Sequence, residues 1–166
     1  MSIKKQVQEY LSERPHKTGE TIRYEWFIFQ ISKSGRPPEI ESLDFKSMAS
    51  FTNDFSEAER IHALQNDTLR RIGRNGQECN LRQSALVSMN YSPGRTGVFL
   101  QRGAMTDGND SGWYVGVFDD PLSMDDPASF TRKSLYELTI HDMRMAPYWL
   151  LPAGTVINVA KGELIR

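Results

Sequence analysis

The stretch from Asp54 to Ile72 constrains the architecture more than any other. In it Phe55, Ala58, Ile61, Leu64, Leu69 and Ile72 recur at near-helical intervals among charged side chains. A helix with one apolar stripe must lie against another layer. Gly73 and Gly76 stop it, and Arg70, Arg71 and Arg74 complement the negative end of its dipole. At the other end Ser56 with Glu59 offers a capping box, with Asn53 and Asp54 as alternative caps.

What this helix can cover is set by the turns around it. Residues 2 to 13 place Ile3, Val7, Tyr10 and Leu11 on one helical face, with Ser2 as N-cap and Pro15 as stop. From Thr21 to Ser32, Ile22, Tyr24, Trp26 and Ile28 alternate with residues that become apolar midway, which predicts one strand running from an edge into a covered interior. Turn residues Ser34 to Pro38 lead to a weaker strand or irregular connection carrying Ile40, Leu43 and Phe45. Asn75 to Glu78 reads as a junction. Ala85 to Tyr91, Thr96 to Arg102 and Gly112 to Phe118 follow as three short β runs, and the turn chemistry between them predicts an antiparallel meander. Ser134 to Ile140 suits strand or helix. Asp142 to Leu151 predicts helical turns broken by Pro147, and Thr155 to Val159 a closing strand. The expected class is α+β: a twisted, mainly antiparallel sheet of the C-terminal segments, with helices packed on one face and the long helix covering it.

The chain has 166 residues, enough for one sizeable core, and a formal net charge of -1. That balance supplies no general attraction for nucleic acid or anionic lipid. Cys79 is the only cysteine, so no internal disulfide forms, and burial explains it better than reactivity. No window has the length and apolarity of a membrane span, and the basic amino terminus lacks an apolar segment behind it; the expected compartment is the cytoplasm.

Motifs that carry chemistry are sparse. None of His16, His62 and His141 pairs with another histidine or cysteine at metal-ligand spacing, so no metal site is expected. A His141–Asp142 pair could serve a small hydrolase, but no nucleophile motif or phosphate loop accompanies it. One stretch stands out: Asn109 to Pro121, followed by Asp125-Asp126-Pro127, dense in Asp, Gly and aromatic residues. Its carboxylates suit turn geometry, an oxygen-ligand cation site without EF-hand spacing, or an acidic recognition surface for a basic partner. Trp113 and Tyr114 flank it, and an outward-facing aromatic side chain bordered by Asp would act as an interface anchor.

The order Asp110-Ser111-Gly112-Trp113, Asp119-Asp120, Asp126-Pro127, Ser134-Leu135-Tyr136-Glu137-Leu138 and Leu151-Pro152-Ala153-Gly154 resembles immunity-protein family thirty-three of bacterial polymorphic toxin systems. Ala85 to Ser88 and Gly97 to Phe99 fit that family's opening hairpin; Glu137 stands where the family often has Asp. The similarity covers about residues 82 to 166, leaving residues 1 to 81 as an N-terminal extension that packs on the body. The resemblance implies an α+β protein that neutralises a cognate toxin by stoichiometric occlusion, with no catalytic residue and no cofactor. Its toxin-binding candidates are Asp110, Trp113, Tyr114, Asp119, Asp120, Asp125 and Asp126. A regulatory or scaffolding module that binds another protein is the alternative.

Overall fold

The computed structural model describes residues 1–165, and it is α+β with two sheets. The first unit is helix α1 (Ile3–Ser12), then β1 (Thr21–Tyr24), β2 (Phe27–Lys33), β3 (Glu39–Leu43) and β4 (Phe51–Thr52), paired antiparallel in sequence order. Helix α2 (Ser56–Ile72) leads to β5 (Ser84–Ser88), β6 (Val98–Arg102), β7 (Asp110–Val117), β8 (Phe130–Ser134) and α3 (Leu135–His141). A 3-10 segment, Met143–Tyr148, precedes β9 (Val156–Asn158) and β10 (Glu163–Leu164). The second sheet runs β10-β9-β6-β7-β5-β8.

Helix α1 forms where its spacing places it. Ile3, Val7 and Leu11 are buried, and the Ser2 hydroxyl accepts from the Lys5 amide at 3.3 Å. Its first amides have a second acceptor from far along the chain: the Glu59 carboxylate takes Ile3 N–H at 3.0 Å and Lys4 N–H at 3.2 Å. Glu59 therefore caps α1, not its own helix. Asp54 receives the Ser56 amide at 2.9 Å instead, Phe55 stands at the N-cap without a side-chain bond, and the expected capping box is absent. At the other end Gly73 adopts φ 67° and closes the helix through bonds to Leu69 and Arg70.

The strand expected over Thr21–Ser32 is a hairpin. Glu25 takes φ 52°, Tyr24 pairs with Phe27, and the chain folds back through a two-residue turn. The midway switch to apolar residues on both faces marks entry into the core strand β2, where Phe27, Phe29 and Ile31 are fully buried. Helix α2 rests on this sheet, with Phe55 stacked on Phe29 and His62 edge-on to Phe27, and on the 3-10 segment, where Gln65 donates to the Ala146 carbonyl at 3.2 Å.

The expected meander is also redrawn. β5 and β6 are not neighbours: β7 lies between them, antiparallel to β6 and parallel to β5, while β5 pairs antiparallel with β8. Ser134 settles the ambiguous segment by ending β8 and capping α3, its hydroxyl accepting from Glu137 N–H at 3.0 Å. One continuous cluster of buried side chains, from Ile3 to Val159, joins both sheets.

Candidate functional site

The second sheet has two unlike faces. Inward, Ala85, Val87, Val98, Leu100, Trp113, Val115 and Ile157 are buried beneath α3 and the chain around Trp149. Outward, the strand pairings align Val156, Gln101, Tyr114, Leu86 and Arg132 in one row, with Asn158, Phe99 and Gly116 in the next. Among the described residues no helix or further sheet lies over this outer face.

Residues Asp110 to Trp113 build the strand that sorts these faces. Between Ser84↔Asp110 and Leu86↔Tyr114 the strand β7 carries two more residues than β5, a bulge at Ser111-Gly112. Gly112 takes φ 76°, and a Cβ there would stand 2.5 Å from the Gly103 carbonyl oxygen, so a side chain is excluded twice over. Asp110 holds the preceding loop, accepting from Thr106 N–H at 3.2 Å, the Thr106 hydroxyl at 2.8 Å and Gly112 N–H at 3.0 Å, with Arg132 at 3.6 Å. Burial alone would raise its pKa; these donors and Arg132 more than offset that and leave it below the ordinary carboxylate range. Ser111 donates to the Ser84 carbonyl at 2.8 Å.

Trp113, expected as a possible interface anchor, lies in the core at 1% exposure, its indole N–H bonded to the Trp149 carbonyl at 3.0 Å. Asp110, at 8% exposure, is likewise inside the fold. The strand that turns Tyr114 outward after the bulge turns Trp113 inward, and the Asp110 carboxylate is spent on the loop and on Arg132.

Tyr114 is half-buried on the outer face within an aromatic row: 5.7 Å from Phe99 and 5.9 Å from Phe130 between ring centroids, with Phe99 5.0 Å from Phe118. The row is fixed by a glycine. A Cβ on Gly116 would stand 2.3 Å from Phe99 Cζ and 2.8 Å from Tyr114 Cε1, so the Phe99 ring lies directly on the backbone. Phe118 and Met124 extend the row outward, exposed by 40% and 65%. Burial, then the Asp120 charge, raises the Tyr114 phenol above its ordinary pKa.

The four other carboxylates stand on the loop after β7. Asp120 pins that loop: it accepts from the Ser88 hydroxyl at 2.5 Å, Asn90 Nδ2 at 2.7 Å and Leu122 N–H at 3.0 Å, and the Ser88 bond is the main reason its pKa is lowered. Asp126 accepts from Ala128 N–H at 2.9 Å and starts a 3-10 turn at Pro127. Asp119 (φ 56°) and Asp125 are exposed, and their carboxylates have no hydrogen-bond partner among the described residues. Met124 ties the loop to the aromatic row through a 3.7 Å contact from the Tyr114 hydroxyl.

His141 and Asp142 do not converge. His141 is exposed, whereas Asp142 turns inward to Arg144 at 2.6 Å, Gly94 N–H at 3.2 Å and the Tyr91 hydroxyl at 3.5 Å. No group of three or more possible metal ligands is found among the described residues, and no described helix is long and apolar enough to cross a membrane.

One feature has no sequence signal at all. Arg102, on β6, is 1% exposed and has no carboxylate beside it. Its guanidinium lies over the Trp113 ring at 5.5 Å and donates to the carbonyls of Ser111 (3.2 Å), Gln77 (3.1 Å), Trp149 (3.2 Å), Leu151 (2.6 Å) and Glu78 (3.2 Å). It clamps the 77–78 junction and the 149–151 segment onto the inner face. Only the pairing register, which local sequence does not encode, reveals it.

Neither the comparison with curated proteins nor that with solved structures returned a match. A family model described as the Imm33-like domain matches residues 64–165, from within α2 through β10. The matched span includes the bulge, the aromatic face and the acidic loop, and covers more than half of the sequence. By that match the chain belongs to the Imm33-like family.

Proposed function

We propose that the chain is an immunity protein that binds a cognate bacterial toxin in the cytoplasm and neutralises it by stoichiometric occlusion, without catalysis, cofactor, nucleic acid or membrane. Family membership supports the class. The observation that carries the binding mode is the uncovered aromatic face of the second sheet, since a contiguous apolar patch with a polar rim is the usual form of a protein-binding surface. In this reading Tyr114 anchors the interface and Asp119, Asp120, Asp125 and Asp126 form its acidic rim. Residues 82–166 form the binding unit, and residues 1–81 brace its inner side.

Co-expression tests the proposal. A candidate toxin gene taken from the neighbourhood of this chain's own gene is induced in a sensitive host with and without this chain. Rescue of growth, together with a one-to-one complex in sedimentation, is the expected result. Continued killing beside abundant folded chain, or rescue by catalytic amounts, would remove the occlusion reading.

A further inference from the structure

The outer face also constrains the chemistry of what it receives. Its centre is a row of rings whose positions are set by the fold: Phe99 is seated on Gly116, with Tyr114 edge-on to it at 75° on one side and Phe118 tilted by 38° on the other. Ring faces attract cations through their quadrupole, and the guanidinium group, planar and weakly hydrated, suits them best. At one end of the row the chain passes directly from Phe118 into Asp119, and Met124, in contact with the Tyr114 hydroxyl, leads into Asp125. Asp120 is already committed to Ser88, Asn90 and Leu122, and so fixes the loop that presents the other two.

The exposed carboxylates at this end of the row disfavour phosphate-bearing ligands, because surfaces that stack nucleobases track the backbone with basic groups, and Arg132, which the strand pairings place at the far side of this face, already has Asp110 at 3.6 Å. Two copies meeting here through the same loop would bring exposed like charges together. An apolar patch carrying a cation satisfies both the rings and the rim.

Resting on the immunity reading, we infer that the toxin surface received by this face is apolar and carries at least one arginine, whose guanidinium lies against Tyr114 and Phe118 and faces Asp119 and Asp125. Arginine is enriched among the residues that dominate binding, and acidic rims raise association rates for basic partners.

The test uses the whole chain, isotope-labelled, titrated with the blocked tripeptide Leu-Arg-Leu and separately with Leu-Glu-Leu. The arginine peptide is expected to give saturable amide shifts at Tyr114, Gly116 and Asp119, and the glutamate peptide none. D119N combined with D125N should weaken the arginine peptide about fivefold, the effect of two exposed charge contacts. Y114A, with its remaining spectrum retained, should weaken it about tenfold. Equal response to both peptides, shifts confined to another surface, or a concentration-dependent dimer that buries Tyr114 would overturn the inference. If the peptide binds as expected but the chain fails to rescue growth, the immunity reading falls while the cation-accepting face stands. Rescue unchanged in D119N/D125N and Y114A leaves immunity intact and removes the face.

Discussion

Replacing Arg102 by methionine tests the largest departure from ordinary core chemistry in this fold. The guanidinium has no anionic partner and donates only to main-chain carbonyls, so the substitution strands neutral acceptors and not a buried charge. Gln77 and Glu78 lie where water can reach their carbonyls, and the Trp149 carbonyl keeps the Trp113 indole at 3.0 Å and the Cys79 thiol at 3.1 Å. The carbonyls of Ser111 and Leu151 belong to buried residues and lose a donor outright. At roughly 1–3 kcal/mol for each stranded buried acceptor, the loss is about 2–6 kcal/mol. Relief of guanidinium desolvation offsets part of it, leaving a net cost of about 2–4 kcal/mol. With a urea slope of about 2 kcal/mol per molar, the unfolding midpoint should fall by about 1–2 M. R102K, which keeps the charge but offers three donors from a single nitrogen, should fall between the two. A methionine variant within about 0.3 M of the parent midpoint would refute the view that this guanidinium clamps the junction to the sheet.

Two further outcomes follow from buried groups. Burial alone would raise the Asp142 pKa, but the Arg144 side chain and the Gly94 amide more than offset that and leave it lowered. Its contribution is therefore full above the unfolded carboxylate value of about 4 and is lost as pH falls toward the lower folded value. Urea midpoints at neutral and acid pH should thus drop more steeply for the parent than for D142N, and parallel curves would contradict the assignment. Cys79 is buried, its thiol pushed up to about 11 by desolvation and donating to the Trp149 carbonyl at 3.1 Å. Alkylation at mildly alkaline pH should be slower than for an unfolded control by more than about a hundredfold, rising with urea along the unfolding curve. Rapid labelling of the native chain would count against that burial.

What the sequence disclosed depended on whether the cause was local. Ile3, Val7 and Leu11, and likewise Ala58 and Ile61, are spaced by the helix itself, so both helices and the glycine stop at Gly73 were legible. The Glu25-Trp26 turn was not, because neither residue is a usual turn former and the flanking residues alternate as a single strand would. The parallel pairing of β5 with β7 was hidden for a different reason, since register across intervening chain leaves no mark on either strand alone. The same limit governs the candidate face. Asp110, Ser111, Gly112 and Trp113 stood out in composition because a bulge and a core anchor need them, whereas the outward role passed to Tyr114, whose direction depends on that bulge.

The carboxylate of Glu59 makes the first helix a late arrival. Ile3 and Lys4 leave the ribosome early, yet the group that receives their amides is synthesised 56 and 55 positions afterwards, and it becomes useful only once α2 is seated. Until then that end has only the local bonds of the Ser2 hydroxyl to Lys5 N–H and of the Gln6 side-chain amide to the Met1 carbonyl, and ten residues of helix are too few to persist in water unaided. The amino-terminal helix is therefore completed only against α2, so that whatever loosens the start of one loosens the start of the other.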